Sequence, residues 1–239
     1  MKLNCDMGEG FTEAEASLMP LIDMANIACG GHTGDRDSMM HTLALAKKYQ
    51  IQVGAHPSYP DREHFGRRSI DISPEALEAS LIQQLEHLAL CCHDSGASMT
   101  YIKPHGALYN DLVQQDKHWH SVLSAAKRFQ LPLVIQAHPK NQQHKDTAQN
   151  YQVELIFEAF ADRAYNKLGN LLGRSETNSV HSNVKQVMSQ VSSLHLNSEI
   201  ISIEGTVLAI NAQTLCIHSD SKIALEAAQA IRTFLTHEN

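Results

Sequence analysis

No apolar run in this 239-residue chain approaches the length needed to cross a bilayer as a helix, so an α-helical membrane protein is excluded. The opening residues Met1-Lys2-Leu3-Asn4-Cys5-Asp6 are too polar for the core of a secretory signal, and a cytoplasmic protein is expected. Basic side chains are scarce: 19 Lys and Arg stand against 26 Asp and Glu, a formal net charge of −7 without any charged tail. That balance argues against nucleic acid or an anionic membrane as partner. Cysteines are few and odd in number, five, with Cys91 and Cys92 adjacent and no Cys-x-x-Cys pair. A disulfide scaffold and a thiolate zinc site are therefore both disfavoured, and reduced thiols are expected. Also missing are the Gly-x-Ser-x-Gly elbow, the dinucleotide-binding fingerprint and the P-loop.

What the chain does have is histidine, 15 in all, and a recurring pattern of short apolar runs followed by polar clusters. The clusters are Asn4-Cys5-Asp6, Cys29-Gly30-Gly31-His32-Thr33-Gly34-Asp35, Gly54-Ala55-His56-Pro57, Gly66-Arg67-Arg68, Lys103-Pro104-His105-Gly106, Gln136-Ala137-His138-Pro139, Glu158-Ala159-Phe160-Ala161-Asp162-Arg163, Gly173-Arg174 and Cys216-Ile217-His218-Ser219-Asp220. Strands are expected at 2–5, 25–29, 51–55, 100–103, 131–136, 153–157 and 214–218. They read as continuous apolar, β-branched runs of the kind buried on both faces.

Helical periodicity fills the gaps. Ser73-Pro74 opens a helix that places Leu77, Leu81, Leu85, Leu88 and Cys92 on one face and ends at Gly96. Asp37, Asp116 and Ser221 are read as the starts of three more, the first with Met40, Leu43 and Ala44 inward. Residues 164–182 form a long irregular connection, expected as a flap, and 200–203 with 207–210 form a small hairpin. Strand, polar cluster, helix is the grammar of a single-domain (β/α) barrel over residues 1–239, possibly distorted or seven-stranded, with chemistry at one rim. An open doubly wound sheet would concentrate its chemistry at one switch point instead.

Several residues are candidates for that chemistry. Asp6 ends the first strand and suits a base, a metal ligand or a turn cap, with Glu9 close by between glycines. The glycine-rich loop around His32, Gly34 and Asp35 has the physics of an anion cradle ahead of a helix N-terminus, or of a capped turn. His56 and His105 end strands. Asp6, His32 and His56 have the donor types of a divalent metal site, though no tight His-x-x-x-His spacing supports one. Lys103, Arg67, Arg68, Arg163 and Arg174 could neutralise a substrate carboxylate or phosphate, or could pair with Asp61, Glu158 or Asp162. Cys5, Cys29 and Cys216 read as small buried residues.

Taken together, the clusters resemble the LamB/YcsF family. The resemblance runs through Leu3-Asn4-Cys5-Asp6-Met7-Gly8-Glu9-Gly10-Phe11, Ala25-Asn26-Ile27-Ala28-Cys29-Gly30, His32, Gly34-Asp35, Gly54-Ala55-His56-Pro57-Ser58-Tyr59-Pro60-Asp61, Phe65-Gly66-Arg67-Arg68, Lys103-Pro104-His105-Gly106-Ala107-Leu108-Tyr109-Asn110, Glu158-Ala159-Phe160-Ala161-Asp162-Arg163-Ala164-Tyr165 and Cys216-Ile217-His218-Ser219-Asp220. Gly31, Thr33 and Ser219 stand where the family usually has Phe, Ala and Gly. If that last glycine has positive φ, Ser219 carries strain.

The resemblance implies a barrel of the glycoside hydrolase/deacetylase type. It also implies one component of an ATP-dependent hydrolase that opens 5-oxoproline to L-glutamate with partner subunits B and C, the ATP being used by the assembled complex. On that basis Asp6, His56, Lys103 and His105 are expected as catalytic residues. Asn4, Glu9, His32, Gly34, Asp35, Arg67, Glu158, Arg163, His218 and Asp220 are expected around the substrate, and replacement of Asp6 or Lys103 is expected to spare folding. Two rivals are a stand-alone metal-dependent amidohydrolase or deacetylase and a non-catalytic subunit that holds a small acid or carbohydrate.

Overall fold

The computed structural model describes residues 1–237. In chain order it contains β1 (Lys2–Met7), α1 (Thr12–Leu18), a 3-10 turn (Met19–Leu21), β2 (Met24–Ala28), α2 (Arg36–Tyr49), β3 (Gln52–His56), α3 (Pro74–Ser95), β4 (Met99–Ile102), α4 (Gly106–Gln115), α5 (Trp119–Phe129), β5 (Leu133–Gln136), α6 (Asn141–Gln149), β6 (Leu155–Phe160), α7 (Val184–Asn197), β7 (Glu199–Ile201), β8 (Val207–Ala209), β9 (Thr214–Ile217) and α8 (Ala224–His237). Seven parallel strands close into a barrel in the order β1-β2-β3-β4-β5-β6-β9, with β9 bonded to both β1 and β6. The antiparallel pair β7-β8 is the expected hairpin and lies outside the barrel.

Strand alternation explains where the polar residues go. On β1, Leu3, Cys5 and Met7 join the apolar layer beneath the helices, while Asn4 and Asp6 point the other way. Register then stacks inward-facing residues on adjacent strands: Asp6 opposite Asn26, Asn26 opposite Gly54, Gly54 opposite Tyr101. Met24, Tyr101 and Val134 form a small apolar cluster of their own, with Ile156 packed on it. This cluster plugs the N-terminal end of the barrel and leaves a polar layer above it.

Gly54 makes the plug possible. A Cβ there would lie 2.0 Å from the Tyr101 ring, inside any permissible contact. Gly54→Ala is expected to cost at least about 1–3 kcal/mol through overpacking, read as a lower urea midpoint. An unchanged midpoint would show that the ring moves aside freely.

The outer helices follow the expected amphipathic pattern, with corrections at their starts. In α3, Ser73 caps Ala76 N, Gly96 ends the helix in the left-handed region, and Leu77, Leu81, Leu85, Leu88 and Cys92 are buried. Helix α2 is capped by Asp35, not opened by Asp37, which rotates its inward face onto Met39, Thr42, Leu43 and Ala46. Asp116 ends α4 at φ 51°, and α5 begins three residues later. The reading that it opened a helix overlooked α4 altogether. Residues 164–182 hold only two isolated bridges, Arg163 with Val180 and Tyr165 with Leu171. No helix among the described residues is long and apolar enough to cross a membrane.

Candidate active site

The C-terminal ends of the strands frame a cavity of about 380 Å³. Its floor is the polar layer of the barrel. Lys103, buried, lies 2.9 Å from Asp6 Oδ1 and 2.9 Å from Glu158 Oε2, and donates to Asn4 Oδ1 (3.3 Å) and Cys216 Sγ (3.2 Å). Asn26 donates to Asn4 Oδ1 (2.8 Å) and Asp6 Oδ1 (2.7 Å), and Tyr109 OH donates to Glu158 Oε1 (2.7 Å). Burial opposes charge at both Lys103 and Asp6, yet their neighbours win. Asp6 and Glu158 hold the ammonium well above its ordinary range, while His56 and Lys103 hold the Asp6 carboxyl well below its own. Burial pushes the Cys216 thiol up, so it is no thiolate, in keeping with a small buried residue.

Beside the floor stands an imidazole cluster. His56 Nδ1 donates to Lys103 O (2.7 Å), and its Nε2 lies 3.0 Å from His105 Nδ1 and 3.3 Å from Asp6 Oδ2. His105 Nε2 donates to Phe65 O (3.0 Å). His32 stacks on His105 with ring centroids 3.6 Å apart, and its Nε2 is 3.0 Å from Glu9 Oε1. Burial lowers His32 to about 2, so it is neutral, whereas burial and the Asp6 charge raise Glu9 to about 7. Donor atoms of Glu9, His32, His56 and His105 all lie within 4.8 Å of one another.

Glu9 owes its place to a residue the sequence did not single out. The buried Glu15 carboxylate accepts from Gly8 N (2.8 Å), Glu9 N (2.9 Å) and Phe11 N (3.3 Å), tying the loop down. Gly8 and Gly10 supply the positive φ this turn requires.

Across the cavity, His218 Nδ1 lies 2.9 Å from Asp162 Oδ2, and the ring stacks on Phe160. Burial opposes charge on Asp162, but His218 keeps its carboxyl low. Arg67 and Arg174 stand at the mouth, 3.5 and 2.7 Å from Asp220 Oδ2. The first turn of α4, Gly106 and Ala107, lines the wall, and no side chain caps that helix.

The structure therefore brings Asp6, Glu9, His56, Arg67, Lys103, His105, Arg163 and His218 to one cavity. Asn4 and Glu158 lie beneath it and hold Lys103. Asp220 stands at the mouth as the partner of the two arginines. Other expectations are corrected. Arg163 lines the cavity but donates Nε and Nη2 to the carbonyls of Ser179 and Leu172, so it also anchors the flap. Asp35 caps α2 in a reciprocal bond pair with Ser38, and with Gly34 it borders a separate cavity near Arg62 and His87. The glycine loop is thus a capped turn and not an anion cradle. A Cβ at Gly31 would fall 2.3 Å from Gln84 Oε1, whose amide is bonded to both N and O of Ser58, so Gln84 fills that space. Ser219 does not adopt positive φ and carries no such strain. Because Lys103 and Asp6 are buried and paired with each other, substitution there is expected to cost stability, against the expectation that folding is spared. Helix α4 and its uncapped start have no signal in the sequence, since they depend on what the chain folds against, whereas Arg174, a candidate cation from the sequence, does line the cavity.

Comparisons with known proteins agree with this architecture. The chain is 40% identical over 239 residues to the A subunit of 5-oxoprolinase from Vibrio cholerae serotype O1, covering 98% of this chain and 97% of the relative. It is 38% identical to the same subunit of 5-oxoprolinase from Pseudomonas fluorescens, covering 99% and 97%. The crystal structure of a lactam utilization protein from Thermus thermophilus superposes with a TM-score of 0.88 at 32% identity, covering 100% of this chain and 96% of that one. The LamB/YcsF family model matches residues 1–239, and this chain belongs to that family.

Proposed function

We propose that this protein is the A subunit of an ATP-dependent 5-oxoprolinase and that its cavity opens the lactam ring to L-glutamate. The observation that carries this reading is one small cavity holding an oriented imidazole, His218, together with three cations, Lys103, Arg67 and Arg174. A volume of about 380 Å³ suits a single small ring. The relatives are named as the A subunit of 5-oxoprolinase, which supplies the substrate class and implies further subunits; that these are B and C follows from the family resemblance.

A lactam is a weak electrophile at neutral pH. Phosphorylation of its amide oxygen by the partner subunits, at the expense of ATP, would make the ring carbon attackable. Water adds there and gives a proton to His218 Nε2, and the C–N bond breaks as that proton passes to the departing ring nitrogen. The acyl phosphate so formed is hydrolysed by a second water to the side-chain carboxylate and phosphate. Asp162 fixes the His218 tautomer with the proton on Nδ1, which leaves Nε2 to take a proton from water. Asp6 is a poorer base because His56 and Lys103 stabilise its charged form, and His56 spends Nδ1 on Lys103 O while its Nε2 faces His105 and Asp6. Lys103 and the positive end of the α4 dipole, whose Ala107 N–H is bonded to Gly66 O, stabilise the charge that develops on oxygen. Arg67, held only loosely by Asp220, is the group best placed to receive the substrate carboxylate.

The test is coexpression with subunits B and C, followed by measurement of glutamate and phosphate formed from 5-oxoproline and ATP. Stoichiometric formation of both is expected. Hydrolysis of lactams by the chain alone, without ATP, would replace this reading with that of a stand-alone amidohydrolase.

A further inference from the structure

The imidazole cluster poses a problem of protons. His56 Nδ1 must carry hydrogen, because its partner is the carbonyl of Lys103, and His105 Nε2 must do so for the carbonyl of Phe65. That leaves His56 Nε2 and His105 Nδ1 turned toward each other, only 3.0 Å apart, with Asp6 Oδ2 3.3 Å from His56 Nε2. Facing lone pairs at that distance repel unless something positive lies between them. Glu9 Oε1 completes the arrangement, 3.4 Å from His105 Nδ1 and 3.9 Å from His56 Nε2.

From this geometry we infer that His56 Nε2, His105 Nδ1 and a Glu9 carboxylate oxygen bind a first-row divalent cation. Two donors each about 2.0–2.2 Å from a tetrahedral ion are roughly 3.3–3.6 Å apart, close to the separations here. Ring planes separate true ligands from neighbours. An ion lies in the plane of each imidazole it binds. The planes of His56 and His105 cross at 88°, so they share a line on which an ion is in plane with both. His32 and His105 are parallel to within 3° and stacked, so no ion lies in both planes. His32 instead donates Nε2–H to Glu9 and orients it, and the two backbone carbonyls orient the other two rings, the usual support of metal-binding histidine.

Two imidazoles and one carboxylate select zinc, cobalt, iron or manganese over magnesium or calcium, and they leave coordination positions toward the cavity. Asp6, Cys216 and His218 also converge, but Lys103 Nζ, 2.9 Å from Asp6 and 3.2 Å from Cys216, already supplies the positive charge there. The ligand set is thus Glu9, His56 and His105, and of the three residues the sequence suggested only His56 belongs to it. Metal binding at these three residues is independent of the reaction assigned to the cavity.

Its test is binding of Zn²⁺ and Co²⁺ to the purified full-length chain, by calorimetry and by the visible absorption of Co²⁺. One equivalent per chain is expected. Glu9→Gln and His105→Gln should each weaken binding by more than the 10–100-fold typical of supporting groups. His32→Ala should fall within that range. Should a variant fail to fold, ring ¹⁵N shifts in the unaltered protein decide: Zn²⁺ should move His56 Nε2 and His105 Nδ1 and leave His32 Nε2 protonated. Absence of binding at 100 equivalents, or binding indifferent to Glu9→Gln and His105→Gln, would overturn the site. A proton shared between His56 and His105 in the presence of Zn²⁺ would do the same.

Discussion

Replacing Lys103 by methionine should destabilise the fold by about 3–5 kcal/mol, because it leaves buried carboxylates without their counter-charge. Asp6 and Glu158 each lie 2.9 Å from the ammonium, and both are almost wholly out of solvent. Urea denaturation at neutral pH measures the loss, and glutamate formation in the reconstituted complex should vanish with it. The pH dependence carries the sign of the effect. Asp6 has a folded pKa below its unfolded value of about 3.9, so its contribution is complete above that pH and is lost as pH falls through the folded value. Lys103 has a folded pKa above about 10.4, so its contribution holds below that pH and is lost as pH rises through the folded value. The native protein should therefore keep a broad plateau and weaken in acid. Lys103→Met should lose part of its deficit as pH falls below neutrality, where protonation removes the uncompensated buried charge. A variant as stable as the parent at pH 7 would mean that the floor of the barrel is wetter than this geometry allows.

His218→Gln should lower kcat by about 10²–10⁴ with little change in KM, the loss expected when a positioned base is removed. Because His218 is the partner of the buried Asp162 carboxylate and stacks on Phe160, the stability read from urea denaturation should also fall, by an amount on the order of 1–3 kcal/mol, and kcat is compared on protein kept well below the midpoint. Asp162→Asn should act on the same step, because an amide in place of the carboxylate no longer holds Nδ1–H toward itself. If the two work as one unit, the double variant loses little more than the more damaging single one. A rise in KM with kcat intact would assign His218 to substrate binding alone. Turnover within about threefold of the parent would move the base elsewhere in the cavity.

Much of the barrel can be read from local pattern. Seven apolar runs, the Leu77–Leu81–Leu85–Leu88 face, the Ser73 cap and the Gly96 stop each express a preference settled within a few residues. Starts that misread were those where one residue type serves two ends. Asp35 and Asp37 are both able to cap, and Asp116 sits where one helix stops and another soon begins.

The cavity was legible only as a set of residue types near strand ends. That Asp6, His56, Lys103 and His218 meet follows from alternation plus closure: two-residue periodicity chooses a face, and the β1–β9 and β6–β9 pairings turn that face into a common interior. Nothing local distinguishes Asp35, which turns toward its own helix, from Asp6, which turns into the barrel. Nor could spacing show that Arg163 would bond two flap carbonyls, or that His32 would lie flat on His105. Sequence by itself determined the strands, most of the helices and the family. Tertiary structure decided which charges face one another and which are spent on backbone, because partners come from segments far apart in the chain and their bonds exist only once the ring of strands is closed.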